Sequence, residues 1–461
     1  MPTTLPAPVL TIRNPATGAV VGEVPVTPID VIPAVVARAR IAQAGWAART
    51  LDERAAMLLG AKGALAAAAE RMGTLASQEM GKPIKEALGE AKYAASGLEE
   101  MVREAVEALR EEVLEDANVT TRLVFDPFGV AAAITPWNFP ILMPVQNVLP
   151  ALVAGNAVIF KPSEVSPLCG QAWAECLQSV LPEDVLQVIH GDGKQGAALV
   201  GAGVDLVVFT GSRATGMAIM REAAGHLTRL ILELGGKDPL LVLEDADLEA
   251  AATFAVRNSF RNAGQVCVST ERIFVHESVA DRFTQLVVEG ATSMKQGDSA
   301  DESTQIGPMS SARQKSIVMR QLQEAIAAGA RCLAGECDGG PASAGNFVRP
   351  TVLVDVTPQM SIMRDETFGP VAPIVRVNSD AQAVAMANDT PYGLGAAVFG
   401  APDHAARVAE RLTAGMVGIN KGCGGADGSP WVGSRHSGHG FHGGKYGTRQ
   451  FAQVRTISRS R

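Results

Sequence analysis

From Asp30 to about Arg110 apolar and polar residues recur at helical spacing, in Ala-rich segments broken at Gly81-Lys82-Pro83, and predict a run of helices. Ahead of them, residues 10–25 carry N-P-A-T-G as a turn between two short extended runs. Residues 119–126 read as an exposed strand after a charged helix end. At Gly129 the texture changes. The apolar runs A-A-A-I-T, N-A-V-I-F-K, V-L-Q-V-I-H, L-V-V-F-T and R-L-I-L-E-L are each followed by a turn and usually a helix. Strands without polar alternation suit a sheet covered on both faces, so the pattern predicts a parallel, doubly wound sheet. A second series begins near Glu271, with R-I-F-V, T-V-L-V-D-V, A-P-I-V-R-V, A-A-V-F and M-V-G-I-N. Two α/β lobes are expected, with Cys267 near their join, where such folds bind ligands.

Composition narrows the classes. A chain of 461 residues exceeds one hydrophobic core, so two or three domains are expected. A net charge of −8, without a dense Lys/Arg stripe, argues against a nucleic-acid partner. No run of about 18 apolar residues predicts a membrane span. The first ten residues lack the basic and apolar regions of a secretory signal. Six cysteines are sparse for this length and suggest free thiols in a reducing compartment, so a cytoplasmic location is expected.

Several short motifs bear candidate chemistry, and each also has a plain structural reading. N-A-G-Q-V-C-V-S-T sets Cys267 just after a glycine turn, as a nucleophile, a metal ligand or a small core residue. In F-T-G-S-R-A-T-G, Gly211 and Gly216 allow close backbone approach before a helix whose N-terminus suits a pyrophosphate; a tight turn reads equally well. Lys161 and Glu164, at the end of N-A-V-I-F-K-P-S-E, suit ribose hydroxyls or a surface ion pair. Glu233, in E-L-G-G-K-D-P, is a candidate base or a solvated strand end. Asn138, in T-P-W-N-F-P, is an oxyanion donor or a turn residue. His436, His439 and His442 lie among glycines without a carboxylate or thiol cluster, so no metal site is expected.

Taken in order, N-P-A-T-G, P-W-N-F-P, G-N-A-V-I-F-K-P-S-E, F-T-G-S, E-L-G-G-K-D-P, G-Q-V-C, D-E-T-F-G-P and N-D-T-P-Y-G-L make the chain resemble the aldehyde dehydrogenase superfamily from Asn14 to Ile457. The resemblance implies an α/β fold with a Rossmann-like NAD-binding domain (1–110 and 128–235), an α/β catalytic domain (236–435) and a small β oligomerisation arm (111–127 and 448–461). It implies NAD-dependent oxidation of a small-molecule aldehyde to the acid, by a homodimer or homotetramer. Cys267 would be the nucleophile, Asn138 an oxyanion donor and Glu233 the base for the hydrolytic water. Thr135, Pro136, Trp137, Lys161, Ser163, Glu164, Gly211, Ser212, Gly216, Leu234, Glu366 and Phe368 would hold the cofactor, with Glu164 favouring NAD over NADP.

Three departures stand out. Asn147 and His442 occupy positions where relatives carry a lysine and a glutamate, so the proton path from Glu233 differs. The usual P-F-G-G-x-K-x-S-G reads P-W-V-G-S-R-H-S-G here. F-R-N-A-G-Q-V-C is similar to succinate-semialdehyde dehydrogenases, where the counterpart of Arg261 grips the far carboxylate; a structural salt bridge is the other reading. Gln146 stands where such relatives place a second arginine. With Phe139 and Trp431, these residues make up the expected substrate pocket, for a short polar or acidic aldehyde. A CoA-acylating semialdehyde dehydrogenase and a silent cofactor-binding scaffold are the alternatives.

Overall fold

The computed structural model describes residues 8–337 and 345–461. Among these residues the strands form four sheets. The first large sheet runs, in spatial order, Gly438–His439, Arg229–Glu233, Leu206–Thr210, Val130–Ile134, Ala157–Lys161 and Leu186–Val188. All are parallel except Gly438–His439, which pairs antiparallel to Arg229–Glu233 and sets Gly438 opposite Glu233. Val130–Ile134 and Ala157–Lys161 are buried at every position, because helices cover both faces. The helices that the Asp30–Arg110 pattern predicts are present, and the longest, Lys62–Met80, stops at Gly81 in the left-handed conformation (φ 83°).

The second large sheet runs Arg331–Ala334, Thr351–Val354, Val371–Val377, Thr270–His276, Asp238–Val242, Gly395–Phe399 and Met416–Ile419, parallel except for Arg331–Ala334. Asp238–Val242 corrects the expected start of the second series at Glu271. The chain passes from Glu233 in one sheet to Asp238 in the other through four residues and no helix. The Gly-Gly pair and the Lys237-Asp238-Pro239 that follow it read as a turn and conceal this strand in the sequence. Val119–Pro127 pairs with Ala452–Ser460 and with Glu112–Glu115 in a separate antiparallel sheet.

Two cysteines correct the expectation of free thiols. Cys332 and Cys337 form a disulfide, because the turn through Gly335 (φ 96°) brings their Cα atoms to 5.2 Å. Cys169, Cys176, Cys267 and Cys423 are free. No helix is long and apolar enough to cross a membrane among the described residues.

Candidate active site

Cys267 is presented by an unusual turn. The preceding helix, Leu248–Phe260, is capped by Asp247, whose carboxylate accepts from the Ala250 N–H at 3.1 Å. It ends as Arg261 turns out of the helix and Asn262 and Ala263 enter the left-handed region (φ 51° and 55°). That region is costly for side chains bearing Cβ, so the surroundings must impose it. Side-chain amides do so. Asn262 Nδ2 donates to the Gln265 carbonyl at 3.2 Å, Gln265 Nε2 donates back to the Asn262 carbonyl at 3.0 Å, and Gln265 Oε1 accepts from the Ser310 N–H at 2.8 Å. Asn138 joins the same network, its Nδ2 donating to the Gln265 carbonyl at 3.0 Å. Gly264 (φ 71°) completes the turn where an added methyl would collide with the Gly369 carbonyl oxygen.

Electrostatics around Cys267 favour uncharged groups. Burial pushes its thiol well above the usual range, and Asp238, Cys423, Glu233 and Glu366 act in the same direction. Burial alone holds the Glu233 carboxyl well above the usual carboxylate range. Both Glu233 oxygens are buried without a hydrogen-bond partner. A side chain that forgoes its hydrogen bonds at a cost of roughly 1–3 kcal/mol is a candidate for function. Backbone bonds fix its position: the Gly211 N–H donates to the Glu233 carbonyl at 3.0 Å and the Leu234 N–H to the Ser437 carbonyl at 2.8 Å.

Neither substituted relay position hydrogen-bonds to Glu233. Asn147 is buried, with Nδ2 donating to Thr210 Oγ1 at 3.1 Å and Oδ1 unpartnered; Thr210 lies opposite Glu233 in the sheet register. His442 is buried and neutral, its pKa pushed down to about 4 by desolvation.

The residues expected to hold a cofactor gather at the strand ends of the first sheet and at the facing edge of the second. The Thr135 N–H donates to the Lys161 carbonyl at 3.2 Å, which draws the Thr135-Pro136-Trp137 turn against the end of Ala157–Lys161. Lys161 is buried, with its Nζ 3.3 Å from the Pro162 carbonyl and 3.9 Å from the half-exposed Glu164 carboxylate. Ser163 is buried beside them, its Oγ accepting from the Val165 N–H at 3.2 Å. Gly211 leads into Ser212, which caps the helix Arg213–Ala223 by accepting from the Thr215 N–H at 3.3 Å. The first turn of that helix rests on Leu234, and a methyl at Gly216 would lie 2.6 Å from it. From the other sheet, Phe368 meets Trp137 edge to face, with ring centroids 5.5 Å apart. Glu366 accepts from the Gly236 N–H at 3.2 Å; burial, then the Glu271 charge, pushes its pKa up to about 8.

Three supporting residues escaped the sequence reading. Glu271 accepts from the Thr367 and Phe368 N–H groups at 2.7 and 2.8 Å and pairs with the buried Lys237 at 2.6 Å, which places Glu366 and Phe368. Ser437 Oγ donates to the Gly235 carbonyl at 2.7 Å and accepts from the Gly393 N–H at 2.9 Å, tying the two lobes together. Cys423, its thiol pushed up to about 12 by burial and then by Asp238, is a second free thiol within electrostatic reach of Cys267.

A cavity of about 1020 Å3 opens between the helices Ile84–Ser96, Leu248–Phe260 and Ala280–Ser293. Phe139 and Arg261 line it, and the Arg261 guanidinium lies 5.6 Å from the Phe139 ring centre and 3.5 Å from Glu86. Gln146 and Trp431 lie outside its lining, so the four expected pocket residues are not brought together there. The Trp431 N–H instead donates to the His442 carbonyl at 2.8 Å.

Comparison with known proteins gives a single answer. The sequence profile of the aldehyde dehydrogenase family matches residues 6–457. The chain is 36% identical to a glutarate-semialdehyde dehydrogenase of Pseudomonas putida over 97% of its own length and 93% of that protein's. It is also 36% identical to an NADP(+) succinate-semialdehyde dehydrogenase of Escherichia coli, over 96% and 93%. The crystal structure of an E. coli lactaldehyde dehydrogenase superposes with a TM-score of 0.94 at 31% identity, covering 98% of this chain and 96% of that one. The chain therefore has the aldehyde dehydrogenase fold and belongs to the aldehyde dehydrogenase family, oxidoreductases that act on aldehydes with NAD or NADP.

Proposed function

We propose that the protein oxidises a short aldehyde with a carboxylate or another polar group at its far end to the corresponding acid, using Cys267 as nucleophile. One arrangement carries this reading: Cys267 stands on a turn tied to Asn138, within electrostatic reach of a buried carboxylate that has no hydrogen-bond partner. The Cys267 thiol first gives up its proton to water; the thiolate sulfur then adds to the carbonyl carbon, and Asn138 with the Cys267 N–H receives the developing oxyanion. Loss of hydride leaves a thioester. Glu233, once rotated out of its buried position, takes a proton from water; attack on the thioester carbon then breaks the C–S bond and releases the acid.

The donor set around the cleft fits a nicotinamide dinucleotide. A buried ammonium (Lys161), a capped helix N-terminus at Ser212, a buried carboxyl (Glu366) and two rings in edge-to-face contact (Trp137 and Phe368) match ribose, pyrophosphate, ribose and a flat heterocycle in turn. When bound, the nicotinamide supplies the hydride acceptor. Glu164 beside Lys161 supports NAD as the preferred form, since a carboxylate there repels a 2′-phosphate. Glu164→Gln is expected to raise kcat/KM with NADP about 10-fold relative to NAD. An unchanged ratio would place the discrimination elsewhere.

The decisive assay follows NADH absorbance over a panel of neutral and acidic aldehydes with both cofactors. Arg261→Ala is expected to cost about 10-fold or more in kcat/KM for a short acidic semialdehyde and far less for a neutral aldehyde of equal length. Equal losses on both would leave Arg261 as a support for the turn through its Glu86 pair. For assembly, the exposed Val113, Leu114, Val454 and Ile457 on the separate antiparallel sheet support pairing with a second copy.

A further inference from the structure

The cavity that holds Arg261 is much larger than a short aldehyde needs. At about 1020 Å3 it has the size of a pocket for a drug-sized ligand. Its lining follows the helix Leu248–Phe260 from Glu249 to Arg261, roughly 18 Å at the rise of an α-helix. Apolar walls from Ala252, Val256, Leu286 and Met294 separate its charged positions.

Those charges do not cancel. Glu249 pairs with Arg282 at 2.8 Å, Glu302 with Lys85 at 3.8 Å, and Glu86 with Arg261 at 3.5 Å. Glu90 pairs with Lys82 and accepts from the Ile141 and Leu142 N–H groups at 3.0 and 2.9 Å. Among the described residues, Arg257 is the charged group of the lining whose side chain has neither an ion pair nor a hydrogen bond. It is exposed in the last turn of the helix, and the Arg261 N–H donates to its carbonyl where the chain leaves the helix, about 6 Å further along the axis.

We infer that Arg257 is a second anion-binding position of this cavity, one helical turn behind Arg261, which takes the far carboxylate of longer ω-oxo carboxylic acids. The inference rests on the proposed function, with the aldehyde entering along this cavity, whose lining reaches the catalytic turn at Phe139, next to Asn138, and at Arg261. Arg261 then meets the carboxylate of a short substrate, while a few more methylene groups, lying on the apolar wall, carry the carboxylate to Arg257. The guanidinium binds it as a bidentate, charge-assisted pair. Helix spacing thereby sets two preferred chain lengths.

The test uses the intact enzyme with propanal and NAD as the reporter reaction. Linear dicarboxylates from succinate to azelate serve as competitive inhibitors, and calorimetry of the same acids gives a readout independent of turnover. Arg257→Gln is expected to weaken the longest acids about 10-fold and to leave succinate within about 2-fold, with Arg257→Lys recovering part of the loss. Arg261→Ala should do the reverse. Unchanged affinity for the long acids in Arg257→Gln, or an equal loss at every length, overturns the assignment. If Arg261→Ala has no effect while the Arg257 pattern holds, the Arg261 reading fails alone. Coincident thermal melts of the variants exclude misfolding as the cause.

Discussion

Cys267 and Glu233 are kept uncharged by the same burial, and that ties the proposed chemistry to pH. A thiol must lose its proton to attack, and a carboxylic acid must lose its proton to serve as a base; both affinities for the proton are raised here. The rate should therefore climb as pH rises through neutrality, with no acid-side optimum. Cys267→Ala should abolish turnover while leaving NAD binding, read by calorimetry, intact. Glu233→Gln should separate the half-reactions, with a burst of NADH near one equivalent per site followed by slow hydrolysis. If that variant turns over steadily at the wild-type rate, the deacylating base is another group.

At the scale of elements, catalysis depends on the turn between the helix Leu248–Phe260 and the strand Thr270–His276. Gly264→Ala tests it. The left-handed φ of 71° alone costs an alanine about 1 kcal/mol, and the new methyl must displace the Gly369 carbonyl. A lower melting temperature, and alkylation of Cys267 slowed or accelerated several-fold, are expected. Wild-type behaviour in both would mean that the turn is more pliant than its network suggests. The sequence announces part of this: a cysteine after N-A-G-Q, and a proline-locked Asn138, are visible as residue types in a pattern. What it hides depends on partners distant in the chain. Ser437 and Glu271 look like ordinary polar residues until folding brings Gly235, Gly393 and Thr367 to them. The Cys332–Cys337 disulfide is hidden for another reason, since two of six scattered cysteines say nothing about a local turn. Asp238–Val242 is concealed because it follows Gly-Gly-Lys and opens with Asp238 and Pro239, which read as a continuing turn.

For the molecule as a whole, buried titrating groups set a stability profile that opposes the activity profile. Glu366 and Glu79 are both pushed up to about 8, chiefly by burial. A carboxyl whose folded pKa exceeds its unfolded value binds its proton more tightly in the fold. Its stabilisation is complete below the unfolded value and is lost as pH rises through the folded one. His404, raised by hydrogen bonds to Asp380 and Asp245, acts with the same sign: its stabilisation is present below its ordinary value and lost above it. His190 and His442 act the other way. Burial pushes both down to about 4, so their contribution is full above the ordinary histidine range and falls as pH drops towards the folded value. The raised acids therefore lose their stabilisation as pH rises from about 4.5 to about 8, the two buried histidines offset part of that loss below about pH 6.5, and the net decline should be steepest between about pH 6.5 and pH 8. Thermal melting across this range measures the profile. Glu366→Gln keeps an acceptor for the Gly236 N–H but removes the titration, so its alkaline limb should be flatter than that of the wild type. A wild-type melting temperature that stays flat between about pH 6.5 and pH 8 would show that the buried acids titrate as they do in the unfolded chain.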